Sequence, residues 1–156
     1  MPTYSETRVL PYTPEQVYAL VADVEKYPEF LPWCVACRVR KRESPKSFVS
    51  DLAVGFKMVR EQFTSRVTLD PPHGITIEYL NGPFEHLRNS WKFAAVPGGT
   101  SVDFFLSFEF RSKLLQSLIG VLFKEAVKRM VAAFETRAAR LYGSPGASTP
   151  GTLQPL

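Results

Sequence analysis

Val102-Asp103-Phe104-Phe105-Leu106-Ser107-Phe108-Glu109-Phe110 carries a large apolar side chain at every second position. A period of two is typical of a strand with one buried face. Residues 112–142 follow directly, with apolar residues at helical spacing and Gly143 where a helix would be capped. One strand leading into one long amphipathic helix predicts that a sheet and a helix bury their apolar faces against each other.

The preceding sequence supplies the rest of that sheet. Residues 3–10 predict a first strand, and alternation resumes near Ala36, interrupted by turn residues at 70–72, 81–83 and 97–99. Thr13-Pro14-Glu15-Gln16 is typical of a helix start, and Tyr27-Pro28 is expected to end that helix. The expected fold class is α+β: a curved seven-stranded antiparallel sheet wrapped around a long C-terminal helix, the helix-grip arrangement. Gly120 is a point where that helix could divide. Such a wrap often leaves space for a ligand.

Length and charge limit the remaining possibilities. The 156 residues predict one domain over 1–143, followed by an uncharged Gly- and Pro-rich tail, 144–156, that is expected to be disordered. No apolar run is long enough to span a membrane and the N-terminus has no secretory pattern, so a cytoplasmic protein is expected. The net charge of +4 permits contact with anionic lipid or RNA and requires neither. No contact with DNA is expected.

Residues that could carry out chemistry are few. Val35 to Glu43 alternates like a strand, which predicts that Cys34 and Cys37 point to opposite faces. A structural role is therefore favoured for both cysteines over a redox pair or half of a zinc site. No catalytic or phosphate-binding motif occurs, so neither catalytic residues nor a metal or cofactor are predicted. The protein is expected to bind rather than to catalyse.

Four polar residues share strand faces with apolar neighbours: Ser50, Glu61, Ser65 and Asn89. Burying such groups unpaired costs about 1–3 kcal/mol each, so they need partners or a wet cavity. One interpretation is a strand register broken by a bulge, or groups satisfied by backbone. The other is that Glu61 or Asn89 hydrogen-bonds a polar ligand head. Residues around them are then expected to hold the apolar part of the ligand: Phe63, Tyr79, Trp91, Phe93, Phe108, Leu118, Leu122 and Met130.

Basic residues cluster in two places. One cluster is Arg38, Arg40, Lys41, Arg42 and Lys46, and the other flanks the apolar run 114–123. Apolar residues beside cations suit a transient membrane contact, here through Leu114, Leu115, Leu118, Lys113 and Lys124. The alternative is a solvated basic face with the leucines in the core.

Three stretches resemble a known family. Residues 21–34, VADVEKYPEFLPWC, resemble the signature segment of the coenzyme-Q-binding proteins of the START-like superfamily, which is also labelled polyketide cyclase/dehydrase or ribosome-association toxin. Residues 81–93, NGPFEHLRNSWKF, and residues 130–143 are also similar to that family. The resemblance covers about residues 3–143.

This resemblance implies a helix-grip protein that holds ubiquinone or a related polyprenyl lipid, acting as a lipid chaperone for ubiquinone synthesis and respiration. By position it implies that Trp91 and the segment Phe30-Leu31-Pro32-Trp33 belong to the lipid site. A peripheral contact with the inner membrane fits that role. Some bacterial members are similar to a toxin that binds the large ribosomal subunit and blocks subunit joining, which is the alternative function. A polyketide aromatase/cyclase ranks third.

Overall fold

The computed structural model describes residues 3–56 and 59–143, without the side chains of residues 56, 59 and 120–123. The expected disorder of 144–156 therefore lies outside the described residues. Seven strands form a single antiparallel sheet, as predicted, in the order β1-β7-β6-β5-β4-β3-β2. The strands are β1 Thr3–Leu10, β2 Cys34–Ser44, β3 Ser47–Phe56, β4 Val59–Asp70, β5 Gly74–Asn81, β6 Phe84–Val96 and β7 Gly99–Phe110.

The helical segment between β1 and β2 is divided. Helix α1 covers Pro14–Ala22 and begins with the predicted capping box, in which Thr13 and Gln16 exchange hydrogen bonds. The prediction that this helix runs to Tyr27 is wrong, because Asp23 leaves the helical conformation and a 3-10 helix covers Val24–Glu29. The Tyr27 hydroxyl donates to the Val21 carbonyl, which folds the 3-10 helix back against the end of α1.

The C-terminal helix α2 covers Lys113–Tyr142 without interruption, so the division considered at Gly120 does not occur. At 1.5 Å per residue it is about 45 Å long. Val127, Phe134 and Ala138 are buried against the sheet, whereas no residue between 113 and 119 is fully buried. Leu141, whose spacing places it on the same stripe as Phe134 and Ala138, is 52% exposed because it lies in the last turn. The sheet therefore grips the C-terminal half of α2 more closely than the N-terminal half.

The hairpin between β6 and β7 packs against the backbone that follows β1. Gly99 has a φ of 149°, and a Cβ atom there would lie 1.9 Å from the Leu10 carbonyl oxygen. Thr100, fully buried, donates its hydroxyl to the Tyr12 carbonyl at 2.6 Å. These contacts hold the start of β7 against the end of β1, where α1 begins.

Candidate ligand cavity

A cavity of about 310 Å³ lies between the concave face of the sheet and α2. It is partly open to the surface, and its walls come from the segment before β2, six strands and α2. Its volume is near the lower end of the range for sites that hold drug-sized ligands, roughly 300–1,000 Å³. The lining is mainly apolar and includes Leu31, Leu52, Val54, Phe63, Ile77, Leu87, Trp91, Phe104, Leu106, Phe108, Ile119 and Met130.

Ion pairs hold the C-terminal half of α2 on both sides. On one side Arg8 of β1 pairs with Glu135. On the other, Arg137 pairs with Glu29 at 3.0 Å, and its guanidinium lies 4.9 Å from the centre of the Phe30 ring. Helix α2 is capped at its N-terminus by the Ser112 hydroxyl and lies over the cavity through Ile119, Ala126 and Met130. Thus ion pairs anchor α2 near its C-terminal end, and the turns before them cross the cavity.

Most of the side chains predicted to face inward do line this cavity. From the predicted site the structure brings together Leu31, Trp33, Glu61, Phe63, Asn89, Trp91, Phe108 and Met130. All four predicted interior polar residues are there, since Ser50 and Ser65 also belong to the lining. Whether these residues bind a ligand remains a prediction.

Four residues of the predicted site lie elsewhere. Phe93 is buried, but it packs edge-on against Tyr18 of α1, beyond Trp91. The Tyr79 hydroxyl accepts a hydrogen bond from the Phe84 amide at 3.0 Å, and the Phe84 ring packs against the Tyr79 ring.

The other two displaced residues lie outside the cavity for different reasons. Phe30 packs edge-on against Tyr27 and Phe134 beneath Arg137. Leu118 is 48% exposed, because Ile119 rather than Leu118 takes the inward position on α2. The side chain of Leu122 lies outside the described residues.

Trp91 joins the cavity wall to the protein core. Its ring centre lies 4.7 Å from that of Phe104 and 5.1 Å from that of Phe134, both in tilted contacts. These rings also line the cavity, so the wall at this end is formed by three packed aromatic residues. Contacts of this geometry add about 0.5–1.5 kcal/mol per pair beyond area burial. This end of the wall is therefore formed by residues that also pack in the protein core.

The polar residues of the cavity lie on β3, β4 and β6, with β5 between the last two. Ser50 of β3 is the direct register partner of Ser65 of β4, and each is only 4% exposed. Asn89 of β6 donates its side-chain amide to the Phe105 carbonyl at 2.8 Å, which fixes the orientation of the amide. Glu61 lies four residues before Ser65 on the same face of β4 and is half-buried. The apolar cavity thus contains a short polar strip.

Both cysteines line the cavity, so the prediction that they point to opposite faces is wrong. The register of β2 against β3 shifts between Cys34 and Ala36, because Cys34 pairs with Val54 and Ala36 with Ala53. The extra residue, Val35, is 50% exposed, and this bulge returns Cys34 to the face of Cys37. Burial raises the pKa of Cys34 to about 11 and that of Cys37 to about 12. The thiols are therefore protonated at neutral pH.

The segment before β2 forms one rim of the cavity. Trp33 has a φ of 66°, a conformation that residues with a Cβ seldom adopt. Its carbonyl accepts a hydrogen bond from the Gly55 amide at 2.9 Å, which ties this rim to the end of β3. Backbone strain of this kind concentrates at binding sites.

Several lining residues were not singled out from the sequence. Leu52, Val54, Leu87, Leu106 and Phe110 belong to the recognised alternation, which was the signal that could have identified them. Phe84 had no such signal. The register shifts between Phe84 and His86, and the extra residue brings Phe84 onto the same face as Leu87.

Among the described residues, neither a candidate metal cluster nor a candidate membrane-spanning helix is present. Residues 3–56 and 59–143 contain no cluster of three or more His, Cys, Asp or Glu side chains able to hold a metal ion. No helix in the same part of the chain is both long and apolar enough to cross a bilayer.

Comparison with known proteins gives consistent matches over nearly the whole fold. The family model described as polyketide cyclase / dehydrase and lipid transport matches residues 10–135. The ribosome association toxin RatA of Rickettsia prowazekii is 37% identical over 142 residues, covering 88% of this chain and 97% of that protein. The mitochondrial coenzyme Q-binding protein COQ10 homolog B of Xenopus laevis is 41% identical over 147 residues, covering 90% of this chain. This chain spans 59% of that protein's length.

The fold is shared more widely. The crystal structure of the ZhuI aromatase/cyclase from a Streptomyces species superposes with a TM-score of 0.78 over 95% of this chain and 99% of that one. Its sequence identity is 17%, so this likeness concerns the fold alone.

Proposed function

Because the chain belongs to the polyketide cyclase/dehydrase and lipid transport family, we propose that it binds ubiquinone or a related polyprenyl lipid in the cavity between the sheet and α2. The observation that carries this proposal is the composition of the cavity wall. Packed aromatic residues such as Trp91 and Phe104 surround a strip of four polar side chains. A ring with oxygen substituents and an apolar tail matches both parts of that wall.

The ligand's orientation follows from where the polar groups lie. Ser50 and Ser65 are nearly inaccessible from outside, so a polar head at this pair must enter the cavity fully. The tail then runs along the apolar residues beneath α2, including Ile119 and Met130. A tail longer than the cavity leaves through its open side. The name of the coenzyme Q-binding relative from Xenopus laevis supports a quinone as the head.

We propose binding without turnover. Among the described lining residues, the ionisable groups are Glu61, Tyr27 and the two cysteines. The Tyr27 hydroxyl is engaged by the Val21 carbonyl, and burial raises its pKa. The thiols also have raised pKa values, so Glu61 lacks a second group suited to proton transfer at neutral pH.

Binding is tested with a short-chain ubiquinone such as decylubiquinone, measured as ligand retained by the protein after gel filtration. Wild-type protein is expected to retain about one ligand per chain. Asn89→Ala is expected to weaken binding of decylubiquinone, and Glu61→Ala binding of its reduced form decylubiquinol, each by about tenfold, because one hydrogen bond in a desolvated site is lost. If neither variant changes the affinity, the polar strip does not hold the head. If wild-type protein retains no ligand, the proposed function is wrong.

Delivery of such a lipid requires contact with a membrane, and we propose that the start of α2 makes it. Leu114 is 78% exposed and Leu118 is 48% exposed, one helical turn apart on the same face. Lys113 directly precedes Leu114, and Lys124 follows Leu118 by about 9 Å along the helix; both are exposed. Leu115 is half-buried and packs against the core, so it contributes less. Each cation near an anionic surface adds about 1 kcal/mol of attraction.

Vesicle flotation tests this contact, using vesicles of neutral lipid with and without anionic lipid. Leu118→Asp is expected to abolish association with the anionic vesicles. Leu141→Asp is the matched control, because Leu141 is 52% exposed at the opposite end of α2. Equal loss in both variants, or no loss in Leu118→Asp, contradicts a specific contact at the start of α2.

Ribosome binding is the second candidate, favoured by 37% identity to a ribosome association toxin over 97% of that protein's length. The first basic cluster gives it limited support, because Arg38 and Arg40 already pair with Asp51 at 3.4 Å and 3.1 Å. Salt-sensitive co-sedimentation of the purified protein with the large ribosomal subunit would favour this candidate. If the protein does not sediment with the large ribosomal subunit at any salt concentration, this candidate is rejected.

A further inference from the structure

The polar strip of the cavity contains one hydrogen-bond acceptor, Glu61, that a quinone cannot use. The Asn89 amide donates one N–H to the Phe105 carbonyl and keeps its second N–H and its oxygen, so it can either donate or accept. Glu61 as a carboxylate only accepts hydrogen bonds. The Ser50 and Ser65 hydroxyls can either donate or accept.

These groups remain available to a ligand. Within the described part of the chain, neither serine hydroxyl nor the Glu61 carboxylate has a hydrogen-bond or ion-pair partner. Arg137 Nε is the polar side-chain atom that is fully enclosed without a partner there, so the strip itself is not sealed off. A ligand that covers such an acceptor without donating to it leaves the acceptor unsatisfied in an apolar cavity, which is costly.

Resting on the proposed function, we infer that the cavity prefers a ring that carries a hydroxyl group, the quinol or another phenolic ring, over the fully oxidised quinone. A quinone head presents only acceptors, its carbonyl and ether oxygens. A quinol presents two hydroxyl donors in place of the carbonyls. Glu61 can therefore accept from a quinol hydroxyl, whereas a quinone offers it only other acceptors.

The size of this preference follows from the Glu61 carboxylate, which accepts a hydrogen bond when the quinol is bound and accepts none when the quinone is bound. That difference corresponds to at least about tenfold in affinity. By linkage, a site that binds the quinol tenfold more tightly raises the two-electron reduction potential of the bound couple by about 30 mV. The preference is thus visible both in affinity and in potential.

The test compares decylubiquinone with decylubiquinol under anaerobic conditions, as ligand retained by wild-type protein and by Glu61→Gln. Glutamine has nearly the same shape, but its amide can donate to a carbonyl. Glu78→Gln is the matched control, since Glu78 lies on β5, is 63% exposed and pairs with Arg66 rather than lining the cavity. Thermal melting of each variant confirms that it is folded.

We expect wild-type protein and Glu78→Gln to bind the quinol at least about tenfold more tightly, and Glu61→Gln to lose most of that preference. Equal binding of the two forms by wild-type protein overturns the inference and leaves the proposed function intact. A preference that survives in Glu61→Gln also overturns the role of Glu61. Failure of both forms to bind overturns the proposed function itself.

Discussion

Trp91 and Phe93 offer a direct separation of ligand binding from core packing. Both are large, buried aromatic residues on the same face of β6, at 7% and 3% exposure. Trp91 lines the cavity, whereas Phe93 packs against Tyr18 of α1. Replacing each by alanine therefore perturbs the same strand to a similar extent, but only Trp91→Ala removes a wall of the proposed site.

The expected magnitudes can be worked out from these contacts. Truncating a buried Trp or Phe to alanine costs about 3–5 kcal/mol in the free energy of unfolding. Trp91→Ala is expected at the lower end of this range, because part of its ring faces a cavity rather than packed atoms. Its effect on ligand affinity should reach at least about tenfold, since a ring contact and its buried area are lost. Phe93→Ala should change ligand affinity by less than about threefold.

The assay combines urea unfolding with retention of decylubiquinone, both at low temperature, so that the folded fraction of each variant is known. Absorbance of the extracted quinone is used rather than tryptophan fluorescence, because Trp91→Ala removes one of the reporters. Parallel loss of binding in the two variants, after correction for unfolded protein, would show that Trp91 acts only as a core residue. Full binding by folded Trp91→Ala would refute the placement of the ligand.

Three further perturbations test other parts of the structure. The hydrogen bond from Thr64, with two nearby arginines, lowers the pKa of Asp51. The stabilisation by the Asp51 carboxylate is therefore complete above the ordinary Asp pKa and is lost as pH falls through the lower folded-state pKa. Asp51→Asn should cost about 1–3 kcal/mol in the free energy of unfolding by urea at neutral pH and reduce the loss of stability on acidification, and an unchanged pH dependence would contradict this. Gly99→Ala should destabilise by about 1–3 kcal/mol in a thermal melt, because its Cβ would clash with the β1 backbone, and an unchanged melting temperature would refute that contact. Cys34 and Cys37 have pKa values raised to about 11 and about 12, so they should react slowly with iodoacetamide at pH 7.5 and faster toward pH 11. Bound decylubiquinone should slow the reaction further at each pH. Fast alkylation at neutral pH would show that the thiols are not buried as described.

The strands and their inward faces could be predicted because a period of two survives in sequence wherever one face is buried. Asn89 and Glu61 were located in this way, from their parity with Trp91 and Phe63. The capping box at Thr13 was likewise readable, because its two hydrogen bonds require particular side chains at fixed spacing.

Bulges could not be predicted, since an inserted residue changes parity without changing composition. Val35 and Glu85 each occupy such a position, which is why Cys34 and Phe84 were misplaced or missed. Phe93 was assigned to the cavity because parity cannot tell which inward residue faces a space and which faces a helix. Leu118 was assigned there because apolar residues surround the start of α2, and only the rotation of the helix decides that Ile119 faces inward.

The measurement that tests the central claim most directly is native mass spectrometry of the protein purified from its own host, with solvent extraction of whatever it carries. A polyprenyl quinone, quinol or phenol at about one molecule per chain, absent from Trp91→Ala purified in parallel, is the predicted result. A protein that is empty when isolated gently, and that instead co-sediments with the large ribosomal subunit, would contradict the claim.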